Sequence, residues 1–296
     1  MRSHEPIFHS ASCTDSRGKV AMTGMTVLEL LVVMAVITTL AGILLPAIQA
    51  AREAARNAQC QDHLRQIGVA LHTHHDKQRG LPAGWHANAD GQTAFGWAPY
   101  LLPELEETSL FSLINFREPT SSPSAILSIT PAVFICPSDE AEPMFDLFEE
   151  LGVDGDFGQD SQHLLVTLPQ ANFVGVFGIA DPDRSPTGLG EGPFIKNRTI
   201  RFAEIVRGLG KVMFIGERTA RKLPSTWLGV YLNGEDAQNR IVGWAFQGPN
   251  RPDADEGEFD SRHPGHTNFL WGDGRVQAVA DEVEPSVYQG SARRDY

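Results

Sequence analysis

The sequence has little cysteine, no second long apolar run and no excess of positive charge, and each shortage narrows what the chain can be. Three cysteines, Cys13, Cys60 and Cys136, stand in 296 residues. They lie far apart, so the close-spaced ligand pairs of zinc fingers and ribbons are missing and no metal site is expected from them. Only one segment, Met25 to Leu45, is apolar over the roughly 20 residues that a bilayer core requires, which excludes a polytopic membrane protein. Lysine and arginine number 24 against 37 aspartates and glutamates, a net charge of -13. That balance argues for no nucleic acid partner and favours solubility, without bearing on fold. No Gly-x-Ser-x-Gly elbow presents a nucleophile either.

What is present begins with an acid in the wrong solvent. Glu29 is the only ionisable group of the apolar run, and an intramembrane carboxylate demands a partner. The residues before the run are polar, with Arg17 and Lys19 near their end and a glycine directly before the apolar segment. A secretory signal peptide is cut beyond its apolar region at a small-residue site, whereas here Pro46 and an alanine-rich stretch follow. Arg17 and Lys19 favour a cytoplasmic amino terminus and an extracytoplasmic remainder. The expected localisation is a single-pass inner (cytoplasmic) membrane protein.

Thr23-Gly24-Met25-Thr26-Val27-Leu28-Glu29 and its apolar continuation resemble the class III leader of type IV prepilins. The resemblance implies that a prepilin peptidase cuts between Gly24 and Met25 and methylates the new amine. Glu29 would then be the fifth mature residue, pairing with the amine of another pilin-like subunit during assembly, and Pro46 would kink the helix. Met25 stands where that family commonly has phenylalanine. On this mapping Cys13 is removed, which leaves Cys60 and Cys136. An even pair in an exported head suggests one disulfide; two buried free thiols are the alternative.

After Leu45 the periodicity of Leu64, Ile67, Gly68 and Leu71 predicts that the helix continues with an apolar stripe facing the head. Gly80 and Pro82 mark its end. Trp97 to Asn115 suits a pair of short helices broken near Pro103. From Pro131 onward, short β-prone runs bounded by Gly, Pro and Asp predict strands at 133–136, 164–168, 172–177, 211–216, 227–231, 241–246, 267–271 and 275–280. Gly272-Asp273-Gly274 reads as the hairpin turn between the last two, its glycines supplying positive φ. The expected fold class is α+β, a long N-terminal helix packed on an antiparallel β-sheet head. The segments are a leader at 1–24, a transmembrane and assembly helix at 25–46, its amphipathic continuation at 47–80 and an exported head at 81–296.

A narrower resemblance rests on Asn57-Ala-Gln-Cys60, Leu64-Arg-Gln-Ile-Gly68, Ala70-Leu-His72 with His75-Asp76, Ile135-Cys-Pro-Ser-Asp139, Asn172-Phe-Val-Gly175 and Gly216-Glu-Arg218. It closes with His263-Pro-Gly265 and, after nine intervening residues from His263, Asp273-Gly274. The chain is similar throughout to a large bacterial family of prepilin-like proteins with a domain of unknown function. That resemblance implies a pilin-like or pseudopilin-like protein, and no mechanism for its head.

The remaining chemistry is sparse. His72, His75 and Asp76 share a helix face at i, i+3 and i+4, a spacing that suits hydrogen bonds to the head as well as metal ligation. His263 and Asp273 are expected to serve a loop entry and a turn tip rather than catalysis, and the chain is not expected to be an enzyme. Asp154, Asp156 and Asp160, and likewise Asp253 and Asp255, group oxygen donors in loops as calcium candidates, although neither group matches an EF-hand. No other cofactor is expected. Three function classes follow: a structural subunit of a type IV pilus or type II secretion-like filament; a membrane-anchored module that binds carbohydrate or protein without polymerising, with Trp85, Trp97, Trp227 and Trp244 as a sugar platform if exposed, although core packing is expected for most of them; and an anchored hydrolase. The ligand of the head stays open.

Overall fold

A computed structural model describes residues 26–89, 91–118, 125–150, 163–185 and 187–295. Gly24, Met25 and the acidic group Asp154, Asp156 and Asp160 lie outside these residues. The chain divides into two compact units, Met1–Ala50 and Ala51–Tyr296. One helix, α1 (Val27–Gln78), is continuous through both and passes Pro46 without a break in assignment.

The first unit is the amino-terminal part of α1. Its Val, Leu, Ile and Met side chains from Val27 to Ile48 are exposed. Among the described residues this is the one helix long and apolar enough to cross a membrane. Polar groups on it are satisfied locally, as a lipid environment would require. The Thr39 hydroxyl donates to the Ala35 carbonyl at 2.7 Å and the Thr38 hydroxyl to that of Met34 at 2.8 Å. At the start of the helix Thr26 and Glu29 form a reciprocal capping box. The Thr26 N–H and hydroxyl donate to Glu29 Oε2 at 2.8 and 3.0 Å, and the Glu29 N–H donates to Thr26 Oγ1 at 3.2 Å.

In the second unit α1 carries a buried stripe of Cys60, Leu64, Ile67, Gly68, Ala70 and Leu71. The predicted face is therefore the packed one, and burying its leucines and isoleucine contributes roughly 1.5–3 kcal/mol for each side chain. Gly68 lets the helix come close to the sheet, because a Cβ there would sit 2.8 Å from Leu270 Cδ1. The helix stops at Arg79, whose φ of 63° turns the chain into the left-handed region.

Among the described residues eleven strands follow: β1 (Trp85–Ala87), β2 (Thr93–Gly96), β3 (Met144–Phe148), β4 (Leu164–Ala171), β5 (Phe173–Gly178), β6 (Met213–Glu217), β7 (Ser225–Thr226), β8 (Gly229–Tyr231), β9 (Val242–Trp244), β10 (His266–Trp271) and β11 (Val276–Ala280). The central sheet has the order β11-β10-β6-β5-β9, flanked by smaller sheets β1-β2-β8 and β3-β4-β7. The architecture is the expected α+β, but the sheet is mixed rather than antiparallel, since β9 pairs with β5 in parallel through Gly175 and Val242. Two short α-helices complete the fold, α2 (Thr108–Phe111) and α3 (Pro285–Ser291).

Three local expectations need correction. The run 133–136 is not a strand: Ala132–Phe134 winds as a 3-10 turn after Pro131, whose carbonyl accepts from the Phe134 N–H at 3.0 Å. Pro103 does not break the following helix. A 3-10 helix runs through it over Ala98–Leu105, and the turn comes at Glu106 with φ 64°. In the β10–β11 hairpin only Gly274 has positive φ, at 86°. Gly272 answers a different need, because a Cβ there would meet Phe214 Cε1 at 2.5 Å.

Candidate functional site

The face of α1 that carries the apolar stripe also carries polar residues one and two turns earlier. Glu53, Asn57 and Cys60 lie at i, i+4 and i+7, which puts them in line with Leu64. Such placement forces them against the head, where each needs a partner. The partners come from three distant segments, the turn at 135–139, the end of β6 and the loop leading into β10.

His263 is the centre. Its ring has no solvent exposure, Nδ1 lies 2.8 Å from Glu53 Oε1, and Nε2 lies 3.4 Å from Glu217 Oε1. Nε2 also lies 3.5 Å from Cys136 Sγ. Cys136 is bonded to Cys60, with a Cα–Cα distance of 5.0 Å. The disulfide is thus present, and the free-thiol alternative does not hold. Glu53 further accepts from Arg56 Nη2 at 2.6 Å and from the Ser138 hydroxyl at 3.0 Å. Glu217 is buried at the end of β6 and accepts from the Asn268 N–H at 2.9 Å and from its side-chain amide at 3.2 Å. Asn268 also donates to Asn57 Oδ1 at 2.8 Å and accepts from Gln61 at 3.2 Å.

Electrostatics explain why so much charge is tolerated here. Burial alone would lower the His263 pKa, but the hydrogen bonds and charges of Glu217 and Glu53 outweigh it and raise the value. Burial likewise acts to raise Glu53, and His263, Arg56 and Ser138 outweigh it so that its pKa falls. Both ring nitrogens thus face carboxylates, an arrangement that favours the protonated ring.

A second polar layer adjoins the first. Asn172 accepts from the Cys136 N–H at 3.0 Å and donates to Asp139 Oδ2 at 2.8 Å. Asp139 in turn binds Arg262 at 3.2 Å and the Ala220 N–H at 2.8 Å. Arg218 is wholly buried and donates to Ser225 Oγ and to the carbonyls of Gly257 and Asn239. Burial pulls its pKa down to about 9, which leaves it a cation at neutral pH. Asp260 accepts from the Thr219 N–H and hydroxyl at 2.8 and 2.7 Å.

Asn57, Cys60, Cys136, Asp139, Asn172, Glu217, Arg218 and His263, from the scattered sequence motifs, are brought together here in one node. Asp273 is not among them. It sits at the hairpin tip, where its Oδ1 accepts from the Arg275 N–H at 3.2 Å, and it makes no pair with His263. The helix-end histidines serve the head interface: His72 Nε2 lies 3.0 Å from the Gly272 carbonyl oxygen, and His75 accepts from the Phe202 N–H at 3.1 Å while stacking on its ring at 3.6 Å. Asp253 and Asp255 are exposed, and they belong to no convergent group of metal-ligating side chains among the described residues. The tryptophans form no sugar platform, because Trp85, Trp97 and Trp227 are buried in the core.

Sequence reasoning missed Glu53 and Glu217 as partners of His263. One signal was available for each: a carboxylate on the stripe face of α1, and a carboxylate closing the apolar run Met213-Phe214-Ile215-Gly216. The node as built locks helix to head. With His263 sealed on all sides it offers no approach for a substrate proton, which a general base must reach.

No curated protein and no solved structure matches the chain. The family described as a protein of unknown function (DUF1559) matches residues 49–286, a span that contains every member of the node. The chain belongs to that family.

Proposed function

We propose that this protein is a pilin-like or pseudopilin-like subunit, released from its leader by prepilin peptidase and assembled through α1 into a type IV pilus or type II secretion-like filament. The observation that carries the reading is the exposed apolar surface from Val27 to Ile48, with a single acid, Glu29, at its beginning. Such a surface has no partner within its own unit, and a bilayer or the helices of other subunits would bury it. Exposed Ala54, Ala55 and Ala58 on the side of α1 away from the head give a thin profile for close helix packing. The sealed node supports a structural subunit over a hydrolase, because its histidine is spent on holding helix and head together.

Two measurements test the proposal. The mature protein isolated from membranes is expected to begin at a methylated Met25. Glu29→Ala is expected to leave membrane insertion unchanged and to abolish incorporation into filaments. An intact leader on the mature chain would exclude the processing route. Wild-type incorporation of Glu29→Ala would exclude Glu29 as the intersubunit partner and favour an anchored, non-polymerising module.

A further inference from the structure

The disulfide and its surroundings have a second chemical identity. Cys60, Cys136, Glu217 and His263 each offer a ligand atom, these atoms lie within 4.8 Å of one another, and all four residues are buried. As a disulfide the sulfurs are poor ligands; as thiolates they complete a set of two sulfurs, one imidazole and one carboxylate.

The geometry points to a zinc site in the reduced form of this protein, alternative to the Cys60–Cys136 bond. Zn–S bonds of about 2.3 Å and Zn–N and Zn–O bonds of about 2.0–2.2 Å in a tetrahedron require S···N and N···O edges of about 3.6 and 3.4 Å. His263 Nε2 already stands 3.5 Å from Cys136 Sγ and 3.4 Å from Glu217 Oε1. The sulfurs, once free, need only turn apart to the S···S edge of about 3.8 Å that the same tetrahedron sets.

The surroundings also suit a metal. Glu53 holds Nδ1 at 2.8 Å, the carboxylate–histidine arrangement that fixes an imidazole with its other nitrogen aimed at a cation. Asn268 orients Glu217 through two hydrogen bonds. Arg56 offsets the charge of Glu53 at 2.6 Å, so the two thiolates and Glu217 set three negative charges against the dication, a net charge of -1. In the oxidised form Nε2 faces Glu217 Oε1 at 3.4 Å, the side on which the cation would sit.

The exchange balances in two steps. A dithiol reductant gives two electrons and two protons to the Cys60–Cys136 bond and leaves as its own cyclic disulfide, producing two thiols. Zn2+ then replaces one proton from each thiol, releasing two, together with any proton that Nε2 carries. Spacing concealed the site, because Cys60 and Cys136 are 76 residues apart and the other two ligands lie farther along the chain.

The test uses the full chain in detergent, reduced by a water-soluble phosphine under denaturant and refolded with Zn2+ or Co2+. One metal per chain is expected for the reduced wild type and none for the oxidised protein. The cobalt form is expected to show a thiolate charge-transfer band with tetrahedral ligand-field absorption, and zinc uptake to release at least the two thiol protons. Glu53→Gln keeps all four ligands and is expected to weaken zinc about 10–100-fold. His263→Ala and Glu217→Gln keep both thiols and are expected to weaken it further. Absence of metal from the reduced wild type overturns the proposal. So does equal affinity in wild type, His263→Ala and Glu217→Gln, which would mean capture by two thiols of an unfolded chain.

Discussion

Replacing His263 by glutamine is the sharpest probe of the node in its oxidised form. Glutamine is uncharged, so the variant leaves Glu53 and Glu217 facing each other without the imidazolium. Glu217 keeps its two bonds from Asn268, and Glu53 keeps Arg56 and Ser138. Two carboxylates nonetheless remain in a region where the ring was fully enclosed and Glu217 is 2% exposed. Removing one partner of a buried ion pair costs about 3–5 kcal/mol. For a unit of this size that corresponds to a fall in Tm of roughly 6–20 °C. The pH dependence is the more specific reading. The folded-state pKa of His263 is raised above its unfolded value, so its contribution is complete below the unfolded pKa of about 6.5 and is lost as pH rises through the folded value. Glu53 has the opposite sign: its pKa is lowered, so its contribution is present above its unfolded value and lost as pH falls through the folded one. Thermal melts of the detergent-solubilised chain, followed by tryptophan fluorescence from pH 5 to 9, are expected to show a wild-type decline on the alkaline side that His263→Gln lacks. An identical alkaline slope in both proteins, or a Tm change below 2 °C, would refute the charge assignment.

Two further outcomes follow from the same physics. Gly216→Ala is expected to be among the most destabilising single methyl additions, beyond about 1–3 kcal/mol, because its Cβ would meet Phe259 Cδ1 at 2.4 Å and Phe269 Cε1 at 2.5 Å; urea denaturation measures it. Burial pushes the Asp183 carboxyl up to about 6 despite the amides of Gln238 and Asn239, so ionised Asp183 strains the fold. Stability is therefore expected to fall as pH rises from about 4 to about 6, and Asp183→Asn to flatten that slope in the same melts.

Much of the head was legible because its strands are short apolar runs with turn residues between them. The segments that became β4 to β6 and β8 to β11 follow that pattern, and so does the Leu64, Ile67, Leu71 stripe of α1. Strands β1 to β3 were not legible. Trp85–Ala87 and Thr93–Gly96 are three and four residues long, and Met144–Phe148 sits in an acidic stretch whose polar residues mask its apolar ones. The C-terminal helix α3 escaped notice as a seven-residue element, although Pro285 at its start and the Glu284 carboxylate accepting from the Val287 N–H mark it. The node was illegible for a different reason. His263 and Glu53 are 210 residues apart, and no local periodicity relates a helix face to a loop at that distance. What can be read locally is the anomaly, a carboxylate where the pattern asks for an apolar residue, but not its partner.

The separation also sets an order on folding. Residues 53–72 of α1 are synthesised well before their partners His263, His266, Asn268 and Gly272, with pairings that span 200 to 211 residues. Contacts of such range make for slow closure, since the loop entropy is lost before the contacts repay it. Until the last hairpin emerges, Gly68 lacks Leu270, the side chain it packs against. A truncation that removes β10 and β11 should therefore cost α1 its bonds to His266 and Asn268 while leaving it tied to the head by the Cys60–Cys136 bond and the His75–Phe202 contact.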